Sequence, residues 1–115
     1  MIQEGQIILF KFPQTDQTTG KLRPALVLRK LPDLYEDWLV CRVSSHLSRQ
    51  ITGFDEIIHE NDPDFEQSGL KMSSVIRIGR LAVVNKDILL GSIGNIGADR
   101  LNLIKNRISM WIKGT

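Results

Sequence analysis

The sequence predicts a mainly β protein that ends in an α-helix, with the strands forming a small, strongly bent antiparallel sheet or barrel. Short runs of apolar, β-branched and aromatic residues recur along the chain, separated by breaks rich in Gly, Pro and Asp. After residue 97 the apolar residues follow a helical spacing instead. The 115 residues contain no internal repeat or low-complexity segment, which predicts one domain over residues 1–115.

Two strands are predicted near the amino terminus. Residues 6–12 are rich in β-forming side chains, and Pro13 ends that run. Residues 14–20 form a polar loop. Residues 25–29, apolar up to Leu28, predict a buried strand, with Pro24 at its first position, where the missing N–H removes no interior hydrogen bond of the sheet.

The middle of the chain continues the β pattern. Asp37–Ser44 is predicted as a third strand from its Trp, Val and Cys content, with Cys41 as a small buried hydrophobic side chain. Because Cys41 is the only cysteine, neither an internal disulfide nor a cysteine metal cluster is expected. The polar residues 45–52 are either a loop or an extension of that strand, and residues 56–59 are a candidate short strand.

A helical turn is predicted at residues 62–66, with Asp62 as its N-cap and Pro63 at the first helical position. Gly69 ends this turn.

A long strand is predicted after the turn. Residues 74–78 and 81–84 form it together, with Gly79 as a bulge or bend. Residues 85–87 are a turn or one helical turn, and residues 88–96 are a further extended segment.

The C-terminal helix is predicted from one apolar face, with Gly97 as its cap and Asp99 in the first turn, where the helix dipole favours an acid. That face consists of Leu101, Ile104, Ile108, Trp111 and Ile112. Leu103 and Met110 form a second apolar line. The helix either only covers the core or also contacts a partner along this second line.

The charge and hydropathy of the sequence bear on nucleic-acid binding and on membrane association. The net charge of +2 is too small to argue for nucleic acid by itself. Residues 54–66 contain six acids and no Lys or Arg, whereas residues 67–86 contain four Lys or Arg residues and no acid. This asymmetry fits a surface for a polyanion and fits an ordinary dipolar surface equally well. No signal peptide or membrane span is visible, so we expect a soluble, cytoplasmic protein.

Metal-dependent and cofactor-dependent chemistry finds little support in the sequence. His46 and His59 show no metal-ligand spacing, and the acids show no EF-hand pattern. A phosphate-binding glycine loop and a serine-hydrolase motif are also missing. No metal and no cofactor are therefore expected.

Several polar residues lie at predicted strand ends. If consecutive strands are antiparallel neighbours, Arg23 at the start of one lies beside Ser44 at the end of the next, with Ser45 and His46 following. A guanidinium can stabilise the extra negative charge of a phosphorane, and a hydroxyl can donate one more hydrogen bond. RNA supplies its own nucleophile, the 2′-OH, so the pattern suits a phosphodiester of RNA.

Both residues also have a purely structural interpretation. Arg23 can be a solvated cation in a weak ion pair, and Ser44 can be a strand-end hydroxyl that bonds its own backbone.

Two segments, GQIILFKFPQTD at 5–16 and GKLRPALVL at 20–28, resemble the N-terminal signature of MazF/PemK-like toxins of bacterial toxin–antitoxin systems. Segments 74–76, 80–86 and 93–96 are similar to later parts of that family. The resemblance implies an SH3-like barrel with a C-terminal helix, usually a homodimer. It implies a sequence-selective, metal-independent endoribonuclease that cuts single-stranded RNA and leaves a cyclic phosphate and a 5′-hydroxyl. It also implies a cognate antitoxin whose acidic tail blocks the RNA site.

The resemblance also assigns roles. Its catalytic Arg corresponds to Arg23, and its catalytic Thr corresponds to Ser44, or to Ser45 if the register shifts by one. Gln6 stands where the family usually has Asp. Because a guanidinium is a poor base, charge stabilisation is the role expected of Arg23. The residues expected to contact RNA are Thr15, Lys21, Ser45, His46, Arg49 and Gln50.

Two other function classes are also compatible with the sequence. The same fold can bind RNA, DNA or an antitoxin without cutting, or it can be a structural dimer with no role in nucleic-acid binding.

Overall fold

The computed structural model describes residues 2–11 and 22–115. The predicted fold class is confirmed, because six strands form one antiparallel sheet that curls into a half-barrel and a long helix follows them. The strands are β1 (Gln6–Lys11), β2 (Leu22–Lys30), β3 (Asp37–Ser44), β4 (Glu56–Ile58), β5 (Ser74–Asn85) and β6 (Ser92–Asn95). Their order across the sheet is β4-β5-β3-β2-β1-β6.

Two α-helices and two 3-10 turns complete the described structure. The helices are α1 (Phe65–Ser68) and α2 (Ala98–Lys113). The turns cover Leu47–Arg49 and Lys86–Ile88, so residues 45–52 do not extend β3 and residue 88 does not belong to an extended segment. None of the helices in these ranges is long and apolar enough to cross a membrane.

Apolar side chains cover both faces of the sheet. One cluster lies between the sheet and α2 and includes Leu26, Cys41 and Ile104, all fully buried. Burial raises the pKa of the Cys41 thiol, which therefore stays neutral and packs as a hydrophobic group. The other cluster lies on the opposite face and includes Phe10 and Val27.

Pro24 is not the first residue of its strand, as the sequence suggested, because β2 already begins at Leu22. Pro24 lies opposite Leu9, whose own N–H and C=O bond to Gly91 and Leu90 on the other side of β1. The missing N–H therefore removes no bond between β1 and β2. On the other side of β2, the pairing with β3 begins only at Ala25.

The predicted bulge in β5 is confirmed. Cys41 lies opposite Leu81, but the next residue, Arg42, lies opposite Arg77. Residues 78–80 are therefore extra on β5, and this insertion bends the strand around Gly79.

Two predictions about the helices were wrong in detail. The N-cap of α1 is Asp64 rather than Asp62, although Gly69 ends the helix as expected. Asp62 instead accepts a hydrogen bond from the N–H of His59 over 2.9 Å. In α2, Trp111 is 49% exposed and Ile112 is 70% exposed, and neither joins the core, whose contacts with the helix end at Ile108.

Candidate active site

Arg23 and Ser44 lie on neighbouring strands. Ala25 of β2 lies opposite Arg42 of β3, so the same register two residues further on brings Arg23 opposite Ser44. The two side chains line one groove of about 500 Å³, together with Ser45 and His46. The pairing of β2 with β3 thus places four of the predicted site residues around one space.

The segment between α1 and β5 also lines this groove. It contributes Lys71, an exposed cation, and Met72, an exposed apolar side chain. Sequence reasoning did not assign Lys71 to the site. The run of basic residues between 67 and 86 was the available signal, but it could not show which of them faces the groove.

The Arg23 guanidinium contains an unused donor. Its Nε is buried and has no hydrogen-bond partner among the residues that the structure describes. An unpaired buried donor is unfavourable by roughly 1–3 kcal/mol, and an anionic ligand in the groove would satisfy it.

Ser44 is only 4% exposed, and its Oγ accepts a hydrogen bond from the N–H of His46 over 3.1 Å. Ser44 is therefore, as its structural interpretation predicts, a strand-end hydroxyl that bonds the nearby backbone. The bond uses one lone pair of the hydroxyl and leaves its hydrogen available for donation into the groove. Ser45, which is exposed, remains the alternative hydroxyl.

The other residues expected to contact RNA are spread more widely. His46 is exposed at the groove, whereas Arg49 lies in the following 3-10 turn and Gln50 caps it. Neither Arg49 nor Gln50 lines the groove. Thr15 and Lys21 lie outside the residues that the structure describes.

A group of arginines beside the groove was not predicted. Arg42 of β3 lies directly opposite Arg77 of β5. Burial lowers the pKa of Arg42, and repulsion from Arg23, Arg49, Arg77 and Arg80 lowers it further. Arg42 therefore lies among four other arginines that oppose its charge. The sequence could not reveal this, because the position of Arg77 opposite Arg42 depends on the length of the bulge.

A second pocket, of about 470 Å³, adjoins the arginines. Arg77 and Arg80 line it together with Phe54 and Trp111, whose rings meet edge to face with centroids 5.3 Å apart. The buried Asp55 also lines this pocket, and its carboxylate accepts hydrogen bonds from the N–H groups of two residues, Ile51 at 2.9 Å and Ile78 at 3.0 Å. The pocket thus combines exposed aromatic surface with two cations.

Residues 2–11 and 22–115 contain no cluster of three or more His, Cys, Asp or Glu side chains that could hold a metal ion.

Comparison with known proteins agrees with the resemblance seen in the sequence. The family model of the PemK-like, MazF-like toxin of type II toxin–antitoxin systems matches residues 3–112. A search of curated proteins gives no significant match. Since the family match covers nearly the whole chain, the protein belongs to the PemK-like, MazF-like toxin family.

Proposed function

We propose that this member of the PemK-like, MazF-like family is the toxin of a type II toxin–antitoxin pair and cleaves single-stranded RNA, sequence-selectively and without a metal ion. The observation that carries the proposal is the groove in which Arg23, with its unpaired buried Nε, lies across from the hydroxyl of Ser44. Family membership supplies the toxin role, and the groove supplies groups suited to a phosphodiester.

The proposed reaction uses the nucleophile of the RNA itself. The 2′-oxygen attacks the adjacent phosphorus, the bond from phosphorus to O5′ breaks, and a cyclic phosphate and a 5′-hydroxyl result. Arg23 donates to the phosphate oxygens and stabilises the charge that develops on them, and Ser44 donates one further hydrogen bond. His46 also lines the groove. Its imidazole is suited to accepting the proton of the 2′-OH or to returning a proton to O5′.

The proposed partners follow from the family and from the surface. An antitoxin with an acidic segment would compete with RNA for the same cationic groove. A homodimer is supported by exposed apolar residues near the end of α2, where Met110 is 54% exposed and Ile112 extends beyond the core. We further propose that residues 1–115 form one domain and that the protein acts in the cytoplasm, where its RNA substrate lies.

The test is a cleavage assay on a long single-stranded RNA in the presence of EDTA. We expect the wild type to cut and Arg23→Ala to lose about 100-fold or more of the rate, since a group that stabilises transition-state charge is removed. Arg29→Ala is the matched control, because Arg29 lies on the same strand but is exposed and paired with Glu4 at 3.3 Å. Its rate should equal that of the wild type.

Two other outcomes would redirect the interpretation. Equal cutting by the wild type and Arg23→Ala would place the chemistry elsewhere. Binding of RNA with no cutting by any variant would favour the non-catalytic binding module, in which the bond from His46 to Ser44 Oγ is the whole role of that hydroxyl.

A further inference from the structure

Three titratable side chains line the groove, and they come from three different parts of the chain. Arg23 lies on β2, His46 follows β3, and Lys71 belongs to the segment between α1 and β5. The other two strands at the groove, β1 and β6, contribute only Leu9 and Ile93, so no carboxylate lines it within the residues that the structure describes. The groove therefore contains two cations and one imidazole.

The proposed reaction needs one proton removed and another supplied. The 2′-oxygen must lose its proton as it attacks phosphorus, and O5′ must gain a proton as it leaves. Guanidinium and ammonium groups have donors but no lone pair, whereas a neutral imidazole has one donor nitrogen and one acceptor nitrogen. Of the described side chains that line the groove, His46 alone carries a group that accepts a proton near neutral pH.

The contacts of His46 leave its ring available to a substrate. The backbone N–H of His46 donates to Oγ of Ser44 over 3.1 Å, which holds the residue at the end of β3 without using its side chain. His46 is also the N-cap of the 3-10 turn, and its side chain makes no capping hydrogen bond. Within residues 2–11 and 22–115 the ring has no hydrogen-bond or ion-pair partner, so both of its nitrogens are open to a ligand.

We infer that His46 is the general base of the proposed reaction and that Lys71 is its general acid. His46 takes the 2′-OH proton as the bond from O2′ to phosphorus forms. Lys71 gives a proton to O5′ as the bond from phosphorus to O5′ breaks. Proton exchange with water then returns His46 to the neutral imidazole and Lys71 to the ammonium. The inference rests on the proposed function and deepens it, because it assigns each proton transfer to one residue.

The chemistry of each transfer decides which residue performs it. Acceptance of the 2′-OH proton requires a lone pair, which the groove offers at His46. Donation to O5′ is open to either cation, but the phosphate oxygens already occupy Arg23 in the proposed reaction. Lys71 is exposed, and no acid within the described ranges forms an ion pair with it. Its ammonium is therefore the donor that remains for the leaving group.

The test is the pH dependence of single-turnover RNA cleavage in the presence of EDTA. The wild-type rate should rise between about pH 5 and 8, where histidine side chains lose their proton, and should then level off. His46→Gln should lower the rate at the plateau about 100-fold or more. It should also lose the plateau itself, because only hydroxide is left to take the proton. The variant keeps the backbone N–H that bonds Ser44, so the groove loses only the imidazole.

His59→Gln is the matched control for this measurement. His59 is exposed like His46 but does not line the groove, so its substitution should change neither the rate nor the pH profile. Free imidazole should restore part of the rate to His46→Ala, which a purely structural role of the residue would not allow. A wild-type pH profile in His46→Gln would overturn the inference.

Binding is measured separately with a fluorescent single-stranded RNA whose 2′-O-methyl groups prevent attack. A general base acts in the transition state, so His46→Gln should bind this RNA with nearly the wild-type Kd. The same measurement shows that the variant is folded. A loss of affinity that accounts for the whole loss of rate would overturn the inference and make His46 a contact residue only.

An RNA with sulfur in place of O5′, at a bond that the wild type cuts, separates the base from the acid. A thiolate leaves without a proton, so this RNA should restore the rate of Lys71→Gln and should leave His46→Gln slow. Restoration of His46→Gln instead would overturn the assignment, because His46 would then be the acid.

The inference and the proposed function fail in different ways. If the wild type and His46→Gln cut RNA equally fast while Arg23→Ala does not cut, the groove is catalytic and only the role of His46 is wrong. If the wild type cuts no RNA, both proposals are wrong.

Discussion

Arg100 and Asp64 form the central contact between the start of α2 and the segment after β4. Nε of Arg100 donates to Oδ2 of Asp64 over 2.9 Å, and the same carboxylate oxygen accepts the N–H of Gly97, the N-cap of α2. The guanidinium also donates to Glu56 at 3.0 Å and to Asp62 at 2.7 Å. One arginine thus joins β4, the connection to α1 and the first turn of α2.

Arg100→Ala should therefore destabilise the fold strongly. The side chain is mostly buried, and its removal would leave three carboxylates close together without their shared cation. We expect a loss of about 3 kcal/mol in the free energy of unfolding, measured by urea denaturation. The exposed Arg29→Ala should change it by no more than about 0.5 kcal/mol. A similar loss in both variants would show that the contacts of Arg100 stabilise the fold no more than those of an exposed arginine.

The same network predicts sensitivity to acid. The N–H of His59 and the guanidinium of Arg100 hold the pKa of Asp62 below its ordinary value of 3.8. Burial opposes ionisation of Asp64, but Arg100 and the N–H of Gly97 outweigh it, so its pKa is also lowered from 3.8. Groups with a lowered pKa contribute their stability above the unfolded-state pKa, and that stability is lost as the pH falls through the folded-state value.

The contribution of Asp62 and Asp64 to the free energy of unfolding should accordingly be constant above about pH 5. Below about pH 4 it should fall steadily. Arg100→Ala should show a weaker dependence in that range, because part of the cause of the lowered pKa is gone. If the wild type and Arg100→Ala lose stability equally steeply below about pH 4, Arg100 is not a cause of the lowered pKa values.

The two serines of the groove give a separate prediction. Ser44→Ala removes the donor proposed to contact the phosphate and should slow cleavage about 100-fold. Ser44→Thr keeps the hydroxyl and should retain most of the activity. Ser45→Ala should have little effect. Cleavage rates under single-turnover conditions decide the matter, and a larger effect at Ser45 would identify it as the functional hydroxyl.

Repulsion between Arg42 and Arg77 predicts a variant that gains stability. Arg77→Gln removes one of two directly opposed charges and should raise the free energy of unfolding by about 0.5 kcal/mol at low salt. The gain should shrink in high salt because screening already weakens the repulsion. Arg77→Lys, which keeps the charge, should show no such gain in thermal denaturation. A destabilised Arg77→Gln would argue that the arginine supports the fold.

Gly94 is predicted to tolerate no side chain. A Cβ there would lie 2.2 Å from the carbonyl oxygen of Gln67, because β6 and α1 touch through their backbones. Gly94→Ala should lower the free energy of unfolding by about 1–3 kcal/mol. Gly53→Ala is the comparison that separates a steric clash from backbone strain. Gly53 has a φ of +82°, and a Cβ there would have no atom within 4 Å, so this variant tests only the left-handed conformation. Equal losses would mean that the close approach is not the limiting constraint.

Local patterns predicted much of the fold. The β-branched runs located the strands of the sheet, and antiparallel pairing of consecutive strands was enough to place Arg23 near Ser44. Errors arose where distant residues decide the local structure. Asp62 before Pro63 has the pattern of a helix start. However, the carboxylate of Asp62 accepts a hydrogen bond from Arg100, 38 positions away, and the helix begins later.

The arginine pair shows the same limit for the site. A bulge at Gly79 was predictable, but its length was not. Three inserted residues bring Arg77 opposite Arg42, and any other length would change which residue lies there.

The contact between Gly69 and the backbone of β6 has a consequence for the behaviour of many copies in concentrated solution. The outermost strands, β4 and β6, have only three and four residues, and α1 follows β4 and lies against β6. Unpaired strand edges invite hydrogen bonding to other chains. Short edges with a helix set against one of them offer few backbone groups for such pairing. The curled sheet is thereby protected against growth into intermolecular β-aggregates.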